Sequence, residues 1–78
     1  MTSDARLLEP ARVLAGLTIR DLWFGYLALG GEADVAEMEA YLTGALVTED
    51  REYDFLAQAI NDRFTDIGMD HPVPYSEP

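Results

Sequence analysis

Apolar residues along the chain recur at spacings of three and four, and no stretch sustains the alternation of a strand, so the pattern predicts helices throughout. The strongest runs from Ile19 to Leu29. Ile19, Leu22, Trp23, Tyr26 and Leu27 share one face, and Phe24 and Leu29 widen it until only Asp21, Gly25 and Ala28 remain as a narrow strip. A helix apolar nearly all round is central to a fold or lies at an interface. Thr18 is placed to cap it and Asp21 to reach back, with Leu17 and Leu22 at staple positions. Trp23, in mid-face, is expected to be buried.

Gly30 and Gly31 break the pattern, and Asp34 with Glu37 has the capping-box spacing. The helix they open is predicted over Val35 to Leu46, with Val35, Met38, Tyr41, Leu42, Ala45 and Leu46 facing inward. Thr48 is the expected cap of a longer helix carrying Tyr53, Leu56, Ile60, Phe64 and Ile67 on one side. Gly68 ends it, with Met69 set to fold back on Phe64 in a Schellman-type contact. At the front, residues 1–9 read as a loose lead-in and Pro10 as the first position of a short helix, Pro10 to Ala15, stopped by Gly16. Residues 69–78 read as an extended tail, because three prolines forbid a helix; Val73 and Tyr75 alternate along it and are expected to pack back on the helices. The expected fold is all-α, a small bundle of three to four short helices with a Pro-rich extended C-terminal tail, and residues 1–78 form a single small helical domain.

Composition agrees with one domain: 78 residues with 49 % hydrophobic content can bury one modest core and not two. The absence of cysteine excludes disulfides, thiolate chemistry and cysteine zinc sites, which makes the cytoplasm the expected compartment. "MTSDARLLEP" lacks the apolar run of a signal peptide, and the longest apolar stretch, Leu22 to Leu29, is too short to span a bilayer.

Charge decides more. Residues 1–30 balance three acids against three arginines, so residues 31–78 hold the whole net charge of −10, twelve acids against Arg51 and Arg63. Two capped helices around a glycine turn outline a DNA-reading helix-turn-helix, but the helix that would enter the groove carries Asp34, Glu37 and Glu39 with its cap and no basic residue. Direct nucleic-acid binding is therefore not expected. In length, acidity and helix count the chain resembles the acyl carrier proteins, with "LGGEADVAEME" similar to their prosthetic-group site. That site needs a serine, and the only serines here are Ser3 and Ser76.

No enzyme is expected. His71, beside Asp70 in the tail, is the sole histidine, and no cysteine or mid-chain serine offers a nucleophile. "TEDREYD" lacks the glycine and spacing of a calcium loop, so no metal and no cofactor is expected.

Interaction remains. Phe55 at the edge of the apolar arc, beside the i, i+4 column of Asp62 and Asp66, makes an aromatic-plus-acid surface suited to a basic protein partner, and Val73 and Tyr75 complete the candidate partner-binding residues. The Ile19 to Leu29 helix offers a second surface, because its Gly25 and Ala28 strip admits another helix, in this chain or across a homodimer. As a whole, "LTIRDLWFGYLALGG" followed by "NDRFTDIGMDHPVPY" resembles a family of small stand-alone actinobacterial helical proteins over roughly residues 14 to 75. The resemblance implies a cytosolic, regulatory setting and supplies neither activity nor site residues. The expected function is a non-enzymatic regulatory or adaptor domain whose acidic C-terminal half binds a basic protein surface. The alternatives are a nucleic-acid mimic occupying a partner's DNA-binding groove and a small ligand-binding domain using Trp23, Tyr26 and Tyr41 around a pocket.

Overall fold

The computed structural model describes residues 5–70 and 73–75 and contains four α-helices, with no strand among those residues. A single 3-10 turn, Ala5–Leu7, leads into α1 (Leu8–Ala15), followed by α2 (Ile19–Ala28), α3 (Val35–Thr43) and α4 (Asp50–Asp66). The chain is all-α. Its start is less loose than the pattern suggests: α1 begins at Leu8, whose side chain is fully buried, and Pro10 stands third in the helix. Proline is tolerated there because the first-turn N–H groups have no intrahelical partner.

Two caps act as their sequences imply. The Thr18 hydroxyl accepts the Asp21 amide at 3.0 Å. Asp34 accepts the Glu37 amide at 2.8 Å while Glu37 accepts the Asp34 amide at 3.2 Å, a complete capping box. The start of α4 differs, since Glu49 and not Thr48 holds the cap position and its side chain makes no cap hydrogen bond. Asp50 and Glu52 in that turn answer the positive end of the helix dipole instead.

Helix α3 stops at Thr43, three residues before the expected end, because Gly44 takes a left-handed conformation with φ of +82°. Ala45 and Leu46 are consequently exposed and contribute nothing to the inner face. At the end of α4 the Met69 amide donates to the Phe64 carbonyl at 2.7 Å and the Gly68 amide to that of Thr65 at 3.1 Å, the paired bonds of a Schellman stop.

Helix α4 is the spine. It packs on α1 and α2, and α3 closes the layer against α2, α1 and the 3-10 turn. Leu22, Tyr26, Met38, Tyr53, Leu56, Ile60 and Phe64 fill the centre. Tyr26, and not Trp23, takes the central place on α2. Trp23 is half-buried at the margin, where its indole N–H donates to the Ala33 carbonyl at 3.0 Å. An indole needs an acceptor when it leaves water, and the margin supplies one. The loop between α2 and α3 lies directly over Tyr26: a Cβ built on Gly31 would stand 2.2 Å from the phenol ring, so no other residue fits there.

Of the two residues expected to pack back on the helices, Val73 does so and Tyr75 does not. Val73 is 3 % exposed, whereas Pro74 and Tyr75 are exposed. Of the rest of the expected tail, Met69 and Asp70 are exposed, and His71, Pro72 and residues 76–78 lie outside the described residues. Among the described residues no helix is long and apolar enough to cross a membrane.

Candidate functional site

The antiparallel approach of α2 and α4 is set by two small residues. A Cβ on Gly25 would lie 3.4 Å from that of Ala59, ordinary contact distance, so the two helices meet here through small residues. Beyond this contact the helices leave a groove of about 450 Å³ on the outer surface, reaching Gly16 and Leu17 at one end and Leu29 at the other. Its floor is apolar, from Leu22, Ala28 and Ala59. Its rim is acidic, with Asp21 on the α2 side and Asp62 and Asp66 on the α4 side.

Among the described residues one cation lines the groove. Arg63 donates through Nε to the carbonyl of Ala15 at 3.2 Å, which fastens the last turn of α1 to α4. Three carboxylates therefore face one guanidinium already engaged with the main chain. Asp66 is the final residue of α4, at the negative end of that helix's dipole, where a carboxylate is disfavoured and an arriving cation is welcome. Such a groove can seat a cationic group on an apolar stem, as Arg and Lys side chains provide.

The fold thus joins two features that lie far apart in the chain, the Asp21, Gly25, Ala28 strip and the Asp62, Asp66 column. It does not bring the other candidates to the same place. Phe55 lies one turn before Ala59 on the same flank of α4, but its ring meets Gly30 and the edge of Tyr26, with centroids 6.5 Å apart, and Arg51 covers it at 5.2 Å. The position a partner's arginine would take on Phe55 is filled by the chain itself. Val73 is turned inward and cannot be presented to a partner, and Tyr75, 45 % exposed, belongs to the docked C-terminal segment.

A polar node closes the opposite end of the α2–α4 pair. The Tyr26 hydroxyl donates to Glu52 Oε1 and accepts the amides of Ala33 at 2.8 Å and Glu32 at 3.1 Å. Burial, then the hydrogen bond to Glu52, pushes the Tyr26 pKa up to about 12. Tyr41 is raised as well, first by burial and then by Glu37, Glu52 and Glu49. With the Trp23 indole tied to Ala33 and the Tyr26 hydroxyl in the node, the polar atoms of Trp23 and Tyr26 are already engaged within the fold. Among the described residues no group of three or more His, Cys, Asp or Glu is placed to hold a metal ion.

Asn61 is the residue that periodicity missed. It is fully buried and bonds the main chain of Val73. A polar residue lying on the apolar arc of α4, eight after Tyr53 and four after Ala57, was the available signal. Comparison of the chain with protein-family models, curated proteins and solved structures finds no match.

Proposed function

We propose that the chain is a non-enzymatic regulatory or adaptor domain that receives a basic segment of a partner protein in the groove between α2 and α4. The observation that carries this reading is the placement of Asp21 opposite Asp62 and Asp66 over a floor of small apolar residues. An acidic rim steers a basic segment in and sets its register, while the floor supplies the area that holds it. The exposed outer side of α2 extends that area, since Phe24, 54 % exposed, and Leu27 continue the apolar surface past Ala28. The same surface is the one through which the α2 helix would pair in a homodimer.

The experiment is a titration of the isotope-labelled chain with an Ala/Leu-rich helical peptide bearing arginines at i, i+4, and with its glutamate counterpart as control. The basic peptide should shift the amides of Gly25, Ala59 and Asp62, weaken as salt rises, and fail on a chain carrying Asp62→Asn and Asp66→Asn. Equal losses from substituting acids on α3 would describe a nucleic-acid mimic in place of a grooved adaptor.

A further inference from the structure

Asn61 is the one polar residue among those described that is buried completely. It stands on the flank of α4 that faces away from the groove, and its side chain serves a single neighbour. Nδ2 donates to the Val73 carbonyl at 2.8 Å, and Oδ1 accepts the amide of the same residue at 3.4 Å. A residue turns both main-chain groups to one side when its backbone is extended, as between paired strands. One position on, the Tyr53 hydroxyl donates to the Pro74 carbonyl at 2.7 Å. The Val73 side chain is enclosed, and Pro74 and Tyr75 face outward. The flank therefore reads an extended dipeptide: one branched aliphatic side chain, three main-chain atoms, and a second residue that need offer no N–H, which proline lacks.

Closing the core would need only an aliphatic side chain at position 61. An amide whose bonds go to one dipeptide's main chain makes the filled cleft specific and the emptied one tolerable, because water can take its polar atoms when the segment leaves. Among the described residues the segment is held by one enclosed aliphatic side chain and by hydrogen bonds to its main chain from two side chains of α4, the profile of a unit that opens without the helices unfolding. Charge favours exchange. In cis the dipeptide is carried between Asp70 and Glu77 on a chain of net charge −10, so a similar segment flanked by Lys or Arg meets attraction where the tail meets repulsion.

We propose that the Tyr53 to Asn61 flank of α4 is a peptide-binding cleft for an extended aliphatic-Pro segment with basic flanks on a partner protein, held closed in cis by Val73 and Pro74. It is a separate site from the α2–α4 groove and does not depend on it. The tail is an internal competitor that lowers the apparent affinity by the fraction of time the cleft is closed.

The test uses the full chain and two fluorescein-labelled peptides, KHPVPYSKP, which carries lysine at both acidic positions of residues 70–78, and KHPDPYSKP as control. Anisotropy should show the first binding and the second not. Val73→Asp in the full chain should eject the competitor and tighten binding by at least about tenfold, and Asn61→Leu should abolish it. Native-state hydrogen exchange decides the matter even where Val73→Asp weakens the fold: in the unaltered chain the Val73 amide should exchange at least about tenfold faster than that of Ile60. Three results overturn the proposal: equal protection of the two amides, no binding to a Val73→Asp chain with intact helical circular dichroism, or binding that survives Asn61→Leu. A dimer that trades tails as concentration rises, without binding the peptide, overturns it too and makes a second copy the occupant.

Discussion

Tyr26 and Glu52 hold their side-chain oxygens 2.5 Å apart, and through this one pair α2, α4 and the loop between α2 and α3 are joined. The same phenol oxygen accepts two main-chain amides of that loop. Tyr26→Phe keeps the ring and strands the buried Ala33 amide, whereas the Glu32 amide retains Glu52 Oε1 at 3.3 Å. The expected cost is about 2 kcal/mol, read as a lower urea midpoint with unchanged slope. A shift below about 0.5 kcal/mol would mean that water replaces the hydroxyl without loss.

The node also makes an alkaline limit. Because the folded Tyr26 pKa is raised from 10.0 to about 12, the folded state holds this proton more tightly than the unfolded chain does. The stabilisation is complete below pH 10 and is lost as pH rises from 10 through 12, by an amount on the order of 2 kcal/mol. Absorbance of tyrosinate should reveal Tyr26 still largely protonated at pH 11, and Glu52→Gln should move its titration back toward 10, since both the hydrogen bond and the charge of Glu52 add to the effect of burial.

Trp23 is the only tryptophan and reports on the loop that its indole holds. Its emission should be only partly shifted to the blue and partly quenched by acrylamide, as befits a half-buried ring. Trp23→Phe should cost about 1 to 2 kcal/mol, combining one lost hydrogen bond with reduced packing. Complete protection from quencher would show that the ring is seated deeper than the margin.

Asp62 and Asp66 repel each other at i, i+4, and Asp66 also opposes the dipole of α4. Replacing both with Asn should leave thermal stability unchanged or raise it by roughly 0.5 to 1 kcal/mol while removing peptide binding at the groove. A fall in stability of similar size would assign the pair to the fold and take it out of the proposed site.

Two glycines should respond differently to a methyl group. At Gly44, with φ of +82° and open space around it, Gly→Ala should cost about 1 kcal/mol from backbone strain alone. At Gly31 the added carbon meets the Tyr26 ring, and the loss should reach about 2 to 3 kcal/mol with a change in Trp23 emission. Equal effects at both positions would mean that the loop swings clear of the phenol.

Local signals were legible. Thr18 and the Asp34–Glu37 box name their caps because a cap involves residues three apart and little else. The errors arose where a nearby residue overruled the pattern: Gly44 ended α3 while Ala45 and Leu46 still matched its period, and Glu49 displaced Thr48 at the start of α4. Periodicity places Trp23 at the centre because it ranks faces and knows nothing of where an indole finds its acceptor. Both sides of the groove could be read, but their meeting is a long-range event: Gly25 and Ala59 had to be brought together before Asp21 faced Asp62. Asn61 is not legible from local pattern because its partner, Val73, lies twelve residues away in a segment without periodicity.

The ring of Tyr26 standing where a side chain at position 31 would begin has a reach beyond this molecule's energetics. Neither position is free to drift alone. A lineage that replaces Gly31 must shrink or turn the residue at 26 in the same step, and thereby give up the acceptor of the Ala33 amide. Among descendants of a common ancestor, positions 26 and 31 should therefore change together or not at all. Val47, 93 % exposed, should meanwhile drift without a correlated change elsewhere.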